Sequence, residues 1–143
     1  MLNIKIDFDQ ESDGRDEIDP LGDLTISDGA STIFAGTVYL DSFLAGLISA
    51  YNQSGAAAHV AVEIMEEPHL LLIETTPEGW LSISYENRKI APQPRQDLKA
   101  ALLVAARYLL RSLPGLPGSK RNSFIDPIRE FVAVQSNGDV KDG

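Results

Sequence analysis

The sequence contains no cysteine. That absence excludes disulfides, thiolate metal ligands and a cysteine nucleophile together, and it favours a reducing compartment. Histidine is almost as scarce: His59 and His69 are the only two in 143 residues, which leaves little from which to build a zinc site or a general base. No apolar run nears the roughly 18 residues that span a bilayer. The opening stretch, Met1-Leu2-Asn3-Ile4-Lys5-Ile6-Asp7, has neither the basic leader nor the apolar core of a secretory signal. The expectation is a cytoplasmic protein.

Hydrophobic residues make up 43% and charged residues 23% of the chain, as in an ordinary globular domain. The length predicts one domain over residues 1–135, with 136–143 as a polar, disordered tail. The net charge of −9 is unevenly distributed. Residues 1–30 hold nine acids and two bases, a net of −7, and residues 87–129 hold nine bases and two acids, a net of +7. Overall acidity repels nucleic acid and anionic membranes and favours a basic protein partner. The plainer alternative is that the two segments meet in the fold and neutralise each other.

The pattern of apolar residues changes period along the chain. Leu2, Ile4, Ile6 and Phe8 alternate with polar residues, as in a half-buried strand. Two short strands, 24–26 and 32–35, flank the turn Ser27-Asp28-Gly29. Leu40, Phe43, Leu44, Leu47, Ile48 and Tyr51 then form one helical stripe, with Asp41 placed to cap the helix or sit in its first turn. The opposite face is small (Ser42, Ala45, Gly46, Ser49, Ala50) and suits close packing against another element or another subunit. From residue 57 the period returns to two, and three short turns divide residues 57–91 into an antiparallel meander. A helix over about 95–113 carries a broad apolar arc that includes Leu103, Val104, Tyr108 and Leu110, and Pro114 stops it. Ser123 is placed to cap a short third helix reaching Val132.

These elements predict a two-layer α+β domain. Its sheet is mostly antiparallel, with five to seven strands and a central meander. Two main helices pack on one face, and a short helix closes the chain. The other face, with Glu63, Glu74, Ser82 and Ser84, is left open.

The chemical motifs are incomplete. Asp9-Gln10-Glu11-Ser12-Asp13-Gly14 has the acid spacing and glycine of half a calcium loop, making Asp9, Glu11 and Asp13 a weak calcium candidate. Position 12 of such a loop is Pro20, where a bidentate glutamate belongs. His59 and Glu63 share a strand face, but i and i+4 on a strand lie about 13 Å apart, too far to ligate one ion. Lys120, Arg121 and Ser123 form a candidate anion site, although the surrounding glycines lack phosphate-loop spacing. No serine lies in a nucleophile elbow. Glu63 and Glu74, on facing strands, could lie near each other.

The sequence therefore predicts no catalytic residues, no metal site and no cofactor. It predicts a non-enzymatic protein-binding module, either immunity- or antitoxin-like or an accessory protein that binds a basic partner. Asp9, Glu11, Asp13, Asp16, Glu17, Trp80 and Tyr85 are its candidate contact residues; for the two aromatics, core or rim packing is the alternative. Other readings are a structural homodimer, with a seam on helix 40–52 or 95–113, and a ligand-binding protein or enzyme with a pocket between sheet and helices. In size, acidity and layout the chain is similar to small bacterial immunity-type and accessory proteins, a likeness that rests on no specific motif.

Overall fold

The first strand, β1 (Asn3–Phe8), forms because its apolar residues fall on alternate positions: Ile4 and Ile6 are buried while Asn3, Lys5 and Asp7 face outward. It begins a computed structural model that describes residues 2–8, 21–64, 67–112 and 122–142, with side chains of the last segment described from Ile125 to Gln135. The elements continue as β2 (Leu21–Ser27), β3 (Thr32–Tyr39), α1 (Leu40–Gln53), β4 (His59–Glu63), β5 (Leu70–Thr75), β6 (Leu81–Tyr85), β7 (Arg88–Gln93), α2 (Arg95–Ser112) and α3 (Asn122–Asp142).

The domain is α+β, but the single sheet expected from the sequence is two antiparallel sheets, β1-β2-β3 and β4-β5-β6-β7. They lie edge to edge, with β3 against β7 and no ladder between them. The reason lies in how β7 spends its donors. The N–H of Ala91 donates to the Asp28 carboxylate at 3.2 Å, not to a β3 carbonyl. The neighbouring Pro92 has no N–H and sits where the β6–β7 register slips, between Leu81 and Ile83. Asp28 also accepts the N–H groups of Ala30 and Ser31, at 2.8 and 2.6 Å. This closes a turn in which Gly29 takes a φ of 96°. One side chain therefore shapes the β2–β3 turn and ties one sheet to the other.

β3 contains a second irregularity. Gly22 pairs with Val38 and Leu24 with Ala35, so Gly36 and Thr37 together oppose Asp23. This bulge resets the phase of the strand and lets Val38 point inward after Ile33 and Ala35. Thr37 has a φ of 52°, unfavourable for a β-branched residue, and its N–H donates to Asp23 Oδ1 at 3.0 Å.

The inner faces of both sheets feed one continuous core. α1 lies across them, touching β2, β3, β4 and β5, with Phe43, Leu44 and Leu47 fully buried. Its small face is covered in part within the chain. A side chain at Gly46 would meet Ile64 Cδ1 at 2.7 Å and Val62 Cγ1 at 3.4 Å, so the missing Cβ lets β4 approach. Gly46 thus packs closely against another element of the same chain, while Ala45 and Ser49 of that face line a cleft toward α3. Asp41 takes the first-turn position of α1, buried, with its Oδ1 accepting the Ser42 N–H at 2.8 Å. α2 packs over β1, and α3 packs on α1 and α2.

Arg95, at the start of α2, joins the helices. It donates to Ser54 Oγ at 2.6 Å and to the Tyr51 carbonyl at 2.9 Å, and its guanidinium lies 4.2 Å from the Tyr51 ring centroid. A cation there satisfies a terminal carbonyl of α1 and complements the helix dipole. The Tyr51 ring in turn meets Phe131 of α3 edge-on, with centroids 6.2 Å apart.

The third helix corrects the sequence reading. It was expected to be short, but it has 21 residues, against 18 in α2, and runs from Asn122 to Asp142. Only Gly138 within 136–142 opposes a helix strongly, at a cost of about 1 kcal/mol. Ser123 is the second residue of α3, inside the helix instead of capping it from outside. No helix among the described residues is long and apolar enough to cross a membrane.

Candidate functional site

β1 is the outer strand of its sheet and pairs only with β2. Along its other side, alternate backbone N–H and C=O groups have no strand partner among the described residues. α2 runs beside that edge. Its buried stripe, Leu98, Ala101, Leu102, Ala105, Ala106 and Leu109, faces the core. The apolar arc read from the sequence is wider than the surface the fold covers, so Val104 and Tyr108 stay 63% and 40% exposed. Strand edge and helix flank enclose a groove of about 340 Å³, lined by Asn3, Ile4, Lys5, Ile6, Asp7, Val104, Ala105, Tyr108 and Arg111. Five consecutive β1 residues form one wall. The helical residues, at i, i+1, i+4 and i+7, form the other.

Packing and charge define the groove further. The Phe8 and Tyr108 rings meet with centroids 6.0 Å apart, pinning the last residue of β1 against α2. Lys5 Nζ lies 3.8 Å from Asp7 Oδ2 on the outward face of the strand. Arg111 adds a cation from the helix. Backbone donors and acceptors, exposed apolar side chains and a few charges are what an added extended segment requires.

The contact residues expected from the sequence are placed elsewhere or undescribed. Asp9, Glu11, Asp13, Asp16 and Glu17 lie outside the described residues, and with them the calcium candidate. Lys120 and Arg121 also lie outside, as does the side chain of Ser123. Trp80 is 46% exposed in the β5–β6 turn, where its backbone N–H donates to Thr76 Oγ1 at 3.1 Å. Tyr85 offers a partner no surface. It is 2% exposed, packs edge-on against Phe43 with centroids 5.3 Å apart, and donates its hydroxyl proton to Glu67 Oε1 at 3.0 Å. Burial, with the adjoining Glu67 carboxylate, holds its phenol well above the ordinary tyrosine range.

The open sheet face is real in part. Glu63 is exposed and Glu74 half-buried, but Ser82 is buried and donates to the Ile90 carbonyl at 3.0 Å. Glu63 and Glu74 are not brought together: the register sets Glu63 opposite Leu70 and Glu74 opposite His59. Glu74 instead lies 3.3 Å from His59 Nδ1 and 3.7 Å from Lys89 Nζ. All three side chains are 42% exposed or more, an arrangement for a solvated cross-strand ladder worth little to stability. A second cleft, about 330 Å³, lies between α1 and α3 and is lined by ten residues of which Glu130 alone is charged. Among the described residues no three histidine, aspartate or glutamate side chains converge to hold a metal.

The β1–α2 groove was missed in the sequence reading. Its signal was present in the width of the apolar arc on α2, but the position of β1 at a sheet edge depends on strand order, which periodicity does not encode. The chain matches no protein family, no curated protein and no solved structure.

Proposed function

We propose that this protein is a non-enzymatic protein-binding module that takes up an extended segment along the free edge of β1. The observation that carries this reading is the strand edge, unpaired among the described residues, that faces exposed apolar residues of α2 across a groove. Main-chain hydrogen bonds to such an edge supply affinity, and alternate side chains supply specificity. An immunity-type or accessory role is one form of this proposal. The chain leaving β1 after Phe8 carries six acids and one base between residues 9 and 19, which favours a basic segment when the partner is foreign.

The test is hydrogen exchange with an alternating Lys-Val octapeptide as probe. Binding should slow amide exchange in residues 3–8, and the Val104→Glu/Tyr108→Glu variant should abolish that protection while keeping its fold by circular dichroism. Protection confined to β4–β7 or to the α1–α3 cleft would place the function elsewhere.

A further inference from the structure

The strand-addition reading leaves open what fills the groove, and the sequence of β1 bears on it directly. We infer that the groove receives β1 of a second copy of this chain, making a two-fold dimer with one antiparallel ladder across the interface. This inference rests on the strand-addition reading of the same site.

The argument comes from register. Two identical strands meeting about a two-fold axis pair residue i with residue j at a constant sum. Core residues stay inside only when even positions face even positions, because a one-residue slip turns a strand over. With the axis at Ile6, Lys5 of each copy faces Asp7 of the other, Ile6 faces Ile6, and Ile4 faces Phe8. Both outward charges are matched twice and every inward position is apolar. With the axis at Lys5, that lysine faces itself, which is destabilising. With the axis at Ile4, Lys5 faces Asn3 and both ion pairs are lost. The strand is therefore self-complementary in one register. The Lys5 and Asp7 side chains are 67% and 57% exposed, free to exchange their mutual contact for contacts across the axis. A strand in the groove also covers Val104 and Tyr108, the exposed apolar residues of α2.

The other outer edge, β4, is a weaker candidate. Self-pairing there would set His59 against Glu63, but His59 is already 3.3 Å from Glu74. The depression beside it, about 140 Å³, lies over β4 and β5 with no helix along it.

The test is sedimentation velocity of the full chain across the micromolar range. The wild-type protein should be a dimer. Lys5→Asp places like charges opposite each other twice and should raise the dissociation constant at least about tenfold. The Lys5→Asp/Asp7→Lys exchange restores opposite charges in the same register and should recover most of the affinity. Thermal melts monitored by circular dichroism establish that both variants are folded. A monomeric wild type overturns the inference, as does a dimer indifferent to Lys5→Asp or one that the charge exchange fails to rescue. A monomer in which the Lys-Val octapeptide protects β1 leaves strand addition standing and rejects the second copy. A monomer without that protection rejects both.

Discussion

Gly22→Ala should be among the most damaging single-methyl additions to this fold, and its cost can be worked from its neighbours. Gly22 opposes Phe8 at the end of the β1–β2 ladder. A Cβ built there would stand inside contact distance of the Asp7 carbonyl oxygen and 2.9 Å from both the Phe8 Cα and the Leu40 Cδ1. Leu40 is fully buried, so its side chain has nowhere to swing, and two of the three obstacles are backbone. Relief requires the end of β1 to move away from β2. Overpacking of this kind costs about 1–3 kcal/mol. Loosening two ladder hydrogen bonds adds about 0.5–1.5 kcal/mol each. The stiffer unfolded chain returns about 0.4–1 kcal/mol. The net expectation is a loss of about 1–5.5 kcal/mol, centred on about 3, or about 2–22 °C in melting temperature for a domain of this size. Urea unfolding measures it, and exchange should quicken most at Asp7 and Phe8. A variant within about 1 kcal/mol of wild type, set against a minimum overpacking cost of that size, would refute the reasoning.

The remaining predictions concern polar ties. Arg95→Ala removes two hydrogen bonds and the stacking on Tyr51; it should cost about 1.5–3 kcal/mol in urea unfolding, and Arg95→Lys should not restore it because the ammonium lacks the planar fork. Tyr85→Phe keeps the edge contact with Phe43 but loses the bond to Glu67, a cost of about 0.5–1.5 kcal/mol near neutrality. Because burial raises the Tyr85 phenol, its share of stability is present below about pH 10 and lost as pH rises further. The gap between wild type and Tyr85→Phe should therefore narrow in strong alkali. Asp28→Ala should lower the melting temperature at neutral pH by opening the β2–β3 turn and its tie to β7. The N–H groups of Ser31, then Ala30 and Ala91, hold the Asp28 carboxyl below its ordinary range. Its contribution is thus present above about pH 4 and fades as pH falls through the lowered value, so melts of wild type and variant should converge in acid.

The fold class, the strands and the two main helices were legible in the sequence because each has a clear period: two in β1 and in the meander, 3.6 in α1 and α2. The division into two sheets was not. It turns on the Ala91 N–H binding Asp28, a contact between residues 63 apart in sequence. The bulge at Gly36 and Thr37 was hidden because those two residues break the alternation where a strand end would also break it. The length of α3 was not legible because 136–142 is polar and carries no apolar stripe to mark it as helical. Tyr85 shows the opposite case. Its strand was identified, but whether an aromatic at a strand end points inward depends on register against β5, where it pairs with Leu71.

The candidate site itself follows from what β1 lacks. An outer strand is usually defended by a proline, a bulge, a short span or an unneutralised lysine. β1 has six residues, no proline and no register break against β2. Its single lysine has an aspartate 3.8 Å away. β7, by contrast, carries Pro92 and gives the Ala91 N–H to Asp28, and its edge lies against β3. Among the described residues, the fold thus guards the edge it has already covered and pairs nothing with the outer side of β1, beside two exposed apolar side chains of α2. An undefended edge on a chain of net charge −9 is restrained from indiscriminate pairing by long-range repulsion between copies. Repulsion of that kind is overcome only where short-range pairing is specific, and the alternation of Lys5 and Asp7 about Ile6 provides that specificity within the strand itself.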